Sequence, residues 1–124
     1  PALLEGAIRC FREAMERSPA DYKNHEKLAL AHERLGQPQE AYDRYVKAAE
    51  LYPGCERLWF ELGRIAERLD RPDLALGHYT RAVEVEESYR RQFRQMYPDR
   101  EKVVSRLGEA QYENARKRIA ELSR

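Results

Sequence analysis

The chain has 124 residues, 36% of them charged and 42% apolar, with a net charge of +1. That length allows one compact domain or a short repeat array, and no run approaches the ~18 apolar residues a membrane helix needs. The two cysteines, Cys10 and Cys55, fall in unrelated contexts and are expected to be free thiols in a reducing compartment, taken to be the cytoplasm. The charge is unevenly spread. Residues 1–89 carry 13 basic and 17 acidic side chains, whereas residues 90–124 carry 10 and 5.

In chain order, residues 2–17 predict a first helix. Leu4, Ala7, Ile8, Phe11, Ala14 and Met15 recur at three- and four-residue steps, and Ser18-Pro19 ends the pattern. Asp21 is placed to cap a second helix with Leu28, Ala29, His32 and Leu35 on one face, and Gly36 to stop it. Pro38 opens a third helix, over about 38–51, carrying Ala41, Tyr45, Ala48 and Leu51. A fourth, over about 56–69, carries Trp59, Leu62, Gly63, Ala66 and Leu69. Pro72 opens a fifth whose stripe runs Ala75, Tyr79, Ala82, Glu86, Tyr89, Phe93, Met96 without a breaker before Pro98. This predicts one helix over about 72–97, about 39 Å long. Asp99 is expected to cap a last helix over 99–122, built on Val104, Leu107, Ala115, Ile119 and Leu122, which would close a long antiparallel hairpin.

The same positions recur every 34 residues. Ala7, Ala41 and Ala75 are in register, as are Phe11, Tyr45 and Tyr79, then Ala14, Ala48 and Ala82. Leu28 and Leu62, Leu35 and Leu69, Pro19 and Pro53, and Pro38 and Pro72 keep the same offset. A period of this length signals stacked supersecondary units, each too small to bury its apolar stripe alone. It moves the functional expectation from chemistry to recognition.

These residues resemble the tetratricopeptide repeat, a helix-turn-helix unit of 34 residues. Residues 22–55 supply His25, Leu28, Ala29, His32, Ala41, Tyr45, Ala48 and Pro53, and residues 56–89 supply Trp59, Leu62, Gly63, Ala66, Ala75, Tyr79 and Ala82. Residues 1–19 match only the second helix of a unit, and 99–122 resemble a first helix serving as a cap. The resemblance implies an all-α superhelix over the single domain 1–124. Glu87 stands where the pattern has a terminal proline, and His25 and His32 stand where it has aromatics.

The resemblance also implies a concave groove lined by the first helix of each unit. Its positions here are Lys23, Glu26, Leu30, Glu33 and Arg34, then Arg57, Phe60, Arg64, Glu67 and Arg68. Three arginines beside an exposed phenylalanine would suit an extended peptide with acidic and apolar side chains. A co-chaperone carboxylate clamp would need Lys and Asn where Glu26 and Leu30 stand.

No glycine-rich phosphate loop, nucleophile with an adjacent base, or metal-ligand spacing occurs, so neither enzymatic activity nor a cofactor is expected. His25 and His32 read as packing residues and His78 as a surface one. The expected function is a protein-interaction scaffold that binds a peptide or helix, with self-association through the first helix as a further expectation. Two rival readings stand beside it. One is an accessory region cut from a larger bacterial enzyme, such as an envelope glycan polymerase or transferase. The other is nucleic-acid binding through the basic hairpin, where Arg90, Arg91, Arg94, Arg100, Lys102 and Arg106 interleave with Tyr89, Phe93 and Tyr97.

Overall fold

The computed structural model describes residues 2–124. Among them are six α-helices: α1 (Ala2–Arg17), α2 (Tyr22–Arg34), α3 (Pro38–Leu51), α4 (Glu56–Arg68), α5 (Pro72–Met96) and α6 (Glu109–Leu122). Two helical hairpins, α2/α3 and α4/α5, stack side by side. α1 packs on α2 at one end, and α6 packs on α5 at the other.

The boundaries follow from local chemistry. The Asp21 carboxylate accepts from Lys23 N at 3.0 Å, satisfying one free donor at the start of α2. Pro38 and Pro72 begin α3 and α5, where a missing N–H costs nothing. Both α2 and α4 end in the same left-handed turn. Gly36 (φ 75°) and Asp70 (φ 56°) occupy equivalent places, and Gln37 N and Arg71 N each donate back to the helix, to His32 O and Ala66 O, at 2.9 Å.

Packing obeys the small-residue and ring pattern. Ala29, Ala41, Ala48, Ala66, Ala75 and Ala82 are fully buried, and Tyr45 and Tyr79 fill the spaces between helices. Gly63 marks the closest approach, since a Cβ built there would lie 2.7 Å from Tyr79 Cδ1. His25 and His32 are buried packing residues, as expected. His25 Nε2 lies 3.3 Å from Pro19 O, and His32 Nδ1 lies 2.7 Å from Gln37 Oε1. Both cysteines are free, Cys10 exposed and Cys55 buried.

Three expectations need correction. The last helix begins at Glu109, not Asp99, so the connection from α5 spans 97–108 and is irregular. The cause is Glu86, which is fully buried on the α5 stripe. Its carboxylate accepts from Arg90 Nε (2.8 Å), Ser105 Oγ (2.6 Å) and Leu107 N (3.1 Å). The loop's polar groups are thus satisfied by α5 rather than by a helical ladder, and Gly108 at φ 101° turns the chain into α6. Consequently Leu107 is buried while Val104 is 62% exposed. The second correction is that the stripe fades toward the end of α5: Tyr89 and Phe93 are half-buried and Met96 is exposed. The third concerns His78, which is half-buried between repeats. Tyr42 Oη lies 2.8 Å from its Nε2, and its ring stacks on Trp59 with centroids 5.9 Å apart.

α6 stands where the first helix of a third unit would stand. Ala115 is fully buried against the cluster of Phe60, Ala66, Ala75, Tyr79, Ala82 and Val83, with Tyr112, Ile119 and Leu122 packed around it. Its far side presents Glu113, Asn114, Arg116 and Lys117 to solvent. A polar outer face is what ends a repeat array.

Candidate partner-binding groove

The first helices of successive units are joined by a directional ladder of ion pairs. Each helix offers glutamates to the next one, whose arginines reach back. Arg57 Nε and Nη2 hold Glu26 Oε2 at 3.0 and 2.7 Å. Arg64 Nη1 and Nη2 hold Glu33 at 2.6 and 3.0 Å, and Arg64 Nε also reaches Glu61 at 3.0 Å. Arg68 Nη1 lies 3.1 Å from Glu33 Oε2. The ladder continues to the cap: Arg106 Nε donates to Glu56 Oε1 at 3.1 Å, and Arg118 Nε donates to Glu67 Oε1 at 2.7 Å. Glu67 also accepts from Tyr79 Oη at 2.8 Å.

The titrations record the same pairing. Hydrogen bonding from Arg64 holds the Glu33 carboxyl below its ordinary range against an opposing burial effect, with Arg68 adding to the depression. Glu33 and Glu61 hold the Arg64 guanidinium above its ordinary value against burial. Burial works against charge on Arg57, but Glu26 outweighs it and the net shift is upward. Tyr45 is raised chiefly by burial, with Glu61 and Glu33 adding to it.

Of the positions named from the sequence, Leu30, Arg57 and Arg64 come together. With Glu26, Lys27, Tyr45 and Glu61 they line a cavity of about 450 Å³ between α2 and α4. Leu30 is 40% exposed there, an apolar side chain left open in a charged surround. Lys23, Arg34 and Arg68 are exposed, Arg68 paired and the first two outside any ion pair among the described residues. Phe60 is not the exposed contact the sequence suggested. It is only 8% exposed, lying 5.7 Å from the Tyr79 ring in the cluster that α6 covers. Glu67 is likewise engaged by α6 through Arg118.

Sequence reasoning missed Lys27, Tyr45, Glu61 and Arg118 as parts of this surface. The signal for the ladder was present, because Glu26–Arg57 and Glu33–Arg64 are both 31 residues apart. No group of three or more His, Cys, Asp or Glu among the described residues is disposed to hold a metal ion. No described helix is long and apolar enough to cross a membrane.

A stack of two-helix units with small residues at the crossings and an open cavity between first helices defines a helical repeat protein. The tetratricopeptide repeat family model matches residues 4–54 and 26–91, and the chain belongs to that family. Its fold is similar to PcrH, solved in complex with the chaperone binding region of PopD (TM-score 0.75, 15% identity, covering 98% of this chain and 80% of that one). It is also similar to the Sgt2 TPR domain from Aspergillus fumigatus (TM-score 0.68, 19% identity, 98% and 72%). A third is the TPR2B domain of yeast Sti1 in its pHsp70 complex (TM-score 0.67, 18% identity, 94% and 85%). No curated protein sequence matches the chain.

Proposed function

We propose that this chain is a non-catalytic interaction module. It holds a segment of a protein partner between α2 and α4, with an apolar side chain of the partner seated on Leu30. The observation that carries this reading is the 450 Å³ cavity, in which the exposed Leu30 is framed by Tyr45 and by charges already paired with one another. The pairing alters the expected ligand chemistry. Arg57, Arg64 and Arg68 each hold a carboxylate of this chain, so an acidic peptide would have to displace one to gain another. Apolar burial gives affinity without that exchange. That PcrH and the Sti1 domain were solved as complexes with PopD and pHsp70 segments supports a partner-holding role for the same fold.

The test is recovery of binding partners by the intact chain and by two variants. Leu30→Asp removes the apolar seat and should lower affinity about tenfold to a hundredfold, since burying a leucine-sized side chain is worth about 1.5–3 kcal/mol. Lys23→Ala, on the exposed surface outside the cavity, should leave binding unchanged. Equal recovery by wild type and Leu30→Asp, with melting temperatures matched, would remove the site. A second reading is favoured by α1. Leu3 is 91% exposed and Phe11, equivalent to the buried Tyr45 and Tyr79, is only half-buried. This helix is a surface for self-association, which sedimentation across a concentration series detects. A strict monomer at high concentration rules it out.

A further inference from the structure

The 34-residue period is broken once. A third unit in register would start at residue 90, but α6 starts at Glu109. The extra chain is the overhanging end of α5 and the loop that returns from it. α5 has 25 residues where α3 has 14, and α6 meets it only as far as Arg90, whose Nη2 holds Glu109 Oε1 at 2.9 Å. Beyond that point nearly every residue up to Lys102 is exposed. The result is an arm standing clear of the repeats.

The composition of the arm is unlike that of the groove. Met96 is 69% exposed, Val104 62% and Tyr97 46%, beside a half-buried Phe93 whose ring centroid lies 5.0 Å from that of Tyr97. Residues 91–104 carry four cations, Arg91, Arg94, Arg100 and Lys102, against Asp99 and Glu101. All four are exposed, and none forms an ion pair among the described residues, in contrast to the arginines of the ladder.

We propose that this arm docks on an anionic lipid surface, with Met96, Tyr97 and Val104 dipping into the interface and the four cations lying against the headgroups. Three features select a bilayer over a nucleic acid. The aromatic faces that would stack on bases are taken by the chain's own guanidiniums: Arg106 lies 4.7 Å from the Tyr89 centroid, Arg90 4.0 Å from that of Tyr112, and Arg100 5.8 Å from that of Tyr97. Arg90 and Arg106 are spent on Glu86, Glu109 and Glu56. The groups left open at the tip include two aliphatic side chains, which suit the acyl boundary and not a phosphodiester. Arginine and lysine stems can lie along an apolar interface with their heads in the headgroup layer, and tyrosine favours that depth. Neither signal suffices alone, so the two must act together.

The experiment is flotation of the 124-residue chain with phosphatidylcholine vesicles and with vesicles that also contain phosphatidylglycerol. Binding is expected only to the second, weakening as salt rises. Arg91→Gln, Arg94→Gln and Lys102→Gln should each lower the partition coefficient about fivefold, the effect of one cation at an anionic surface. Met96→Ser with Val104→Ser should lower it at constant charge. These side chains are exposed, and circular dichroism verifies that the fold is kept. Absence of binding to the anionic vesicles, equal binding to neutral ones, or indifference to the Met96/Val104 pair overturns the proposal. So does an RNA oligomer that displaces the protein from the vesicles, which would assign the arm to nucleic acid.

Discussion

The contact between Gly63 and Tyr79 sets the distance between α4 and α5, and replacing Gly63 by alanine tests it. In an exposed helix interior, Gly→Ala stabilises by about 1 kcal/mol through propensity alone. At Gly63 the new Cβ would lie 2.7, 2.8 and 2.9 Å from Cδ1, Cε1 and Cγ of the Tyr79 ring. Ordinary carbon contacts are about 3.5–4.0 Å, so the ring or the helix must shift by most of an ångström. The ring is poorly able to yield: Tyr79 is 2% exposed, its hydroxyl donates to Glu67 Oε2 at 2.8 Å, and Phe60 packs on it at 5.7 Å. Overpacking of this kind costs about 1–3 kcal/mol and here exceeds the propensity gain, leaving a net loss of about 1 kcal/mol or more. Gly77 is the internal control. It lies in α5, where an added Cβ would meet nothing within 4 Å, so Gly77→Ala should gain about 0.5–1 kcal/mol. Urea unfolding should therefore separate the two variants by about 2 kcal/mol, or several degrees in Tm. If Gly63→Ala gains as much stability as Gly77→Ala, the argument that a missing side chain permits the close approach is refuted.

Asp70→Gly should stabilise by about 0.5–1 kcal/mol in thermal melts, because Asp70 holds the left-handed turn that glycine fills at the equivalent Gly36. Glu86→Ala should cost about 3–5 kcal/mol, since it leaves the guanidinium of Arg90 without its buried partner and orphans Leu107 N. Hydrogen exchange should show faster exchange at Leu107 than at the core of α4. Lowering the pH should destabilise the fold in two stages. Burial holds His25 and His78 below 6.5, so the unfolded chain takes up protons first and stability falls as the pH drops from 6.5 toward their folded values. Protonated His25 would also face Arg44 and Lys47. A second loss follows below 4.5 as Glu33 and Glu86, both depressed in the fold, are protonated. Urea midpoints measured from about pH 7.5 down to about pH 3 should trace both stages, and a midpoint unchanged between neutral pH and the carboxylate range would contradict the histidine assignment.

The sequence by itself determined the helices and their stacking order. Alanines and rings in register at 34 residues, with Pro38, Pro72 and Gly36 as punctuation, leave few ways to bury the stripes, and the continuous α5 across Glu87 was legible for the same reason. Only the tertiary structure decided what became of the charges. Whether Arg57 is free or bound depends on Glu26, which lies on a different helix, and one-dimensional periodicity marks faces but not partners. Phe60 fell to the core because α6 covers it, and residues 97–108 left the helix because a buried carboxylate on α5 competes for their donors. Local propensity governs which segments coil. Contacts between segments govern which side chains remain available to another molecule.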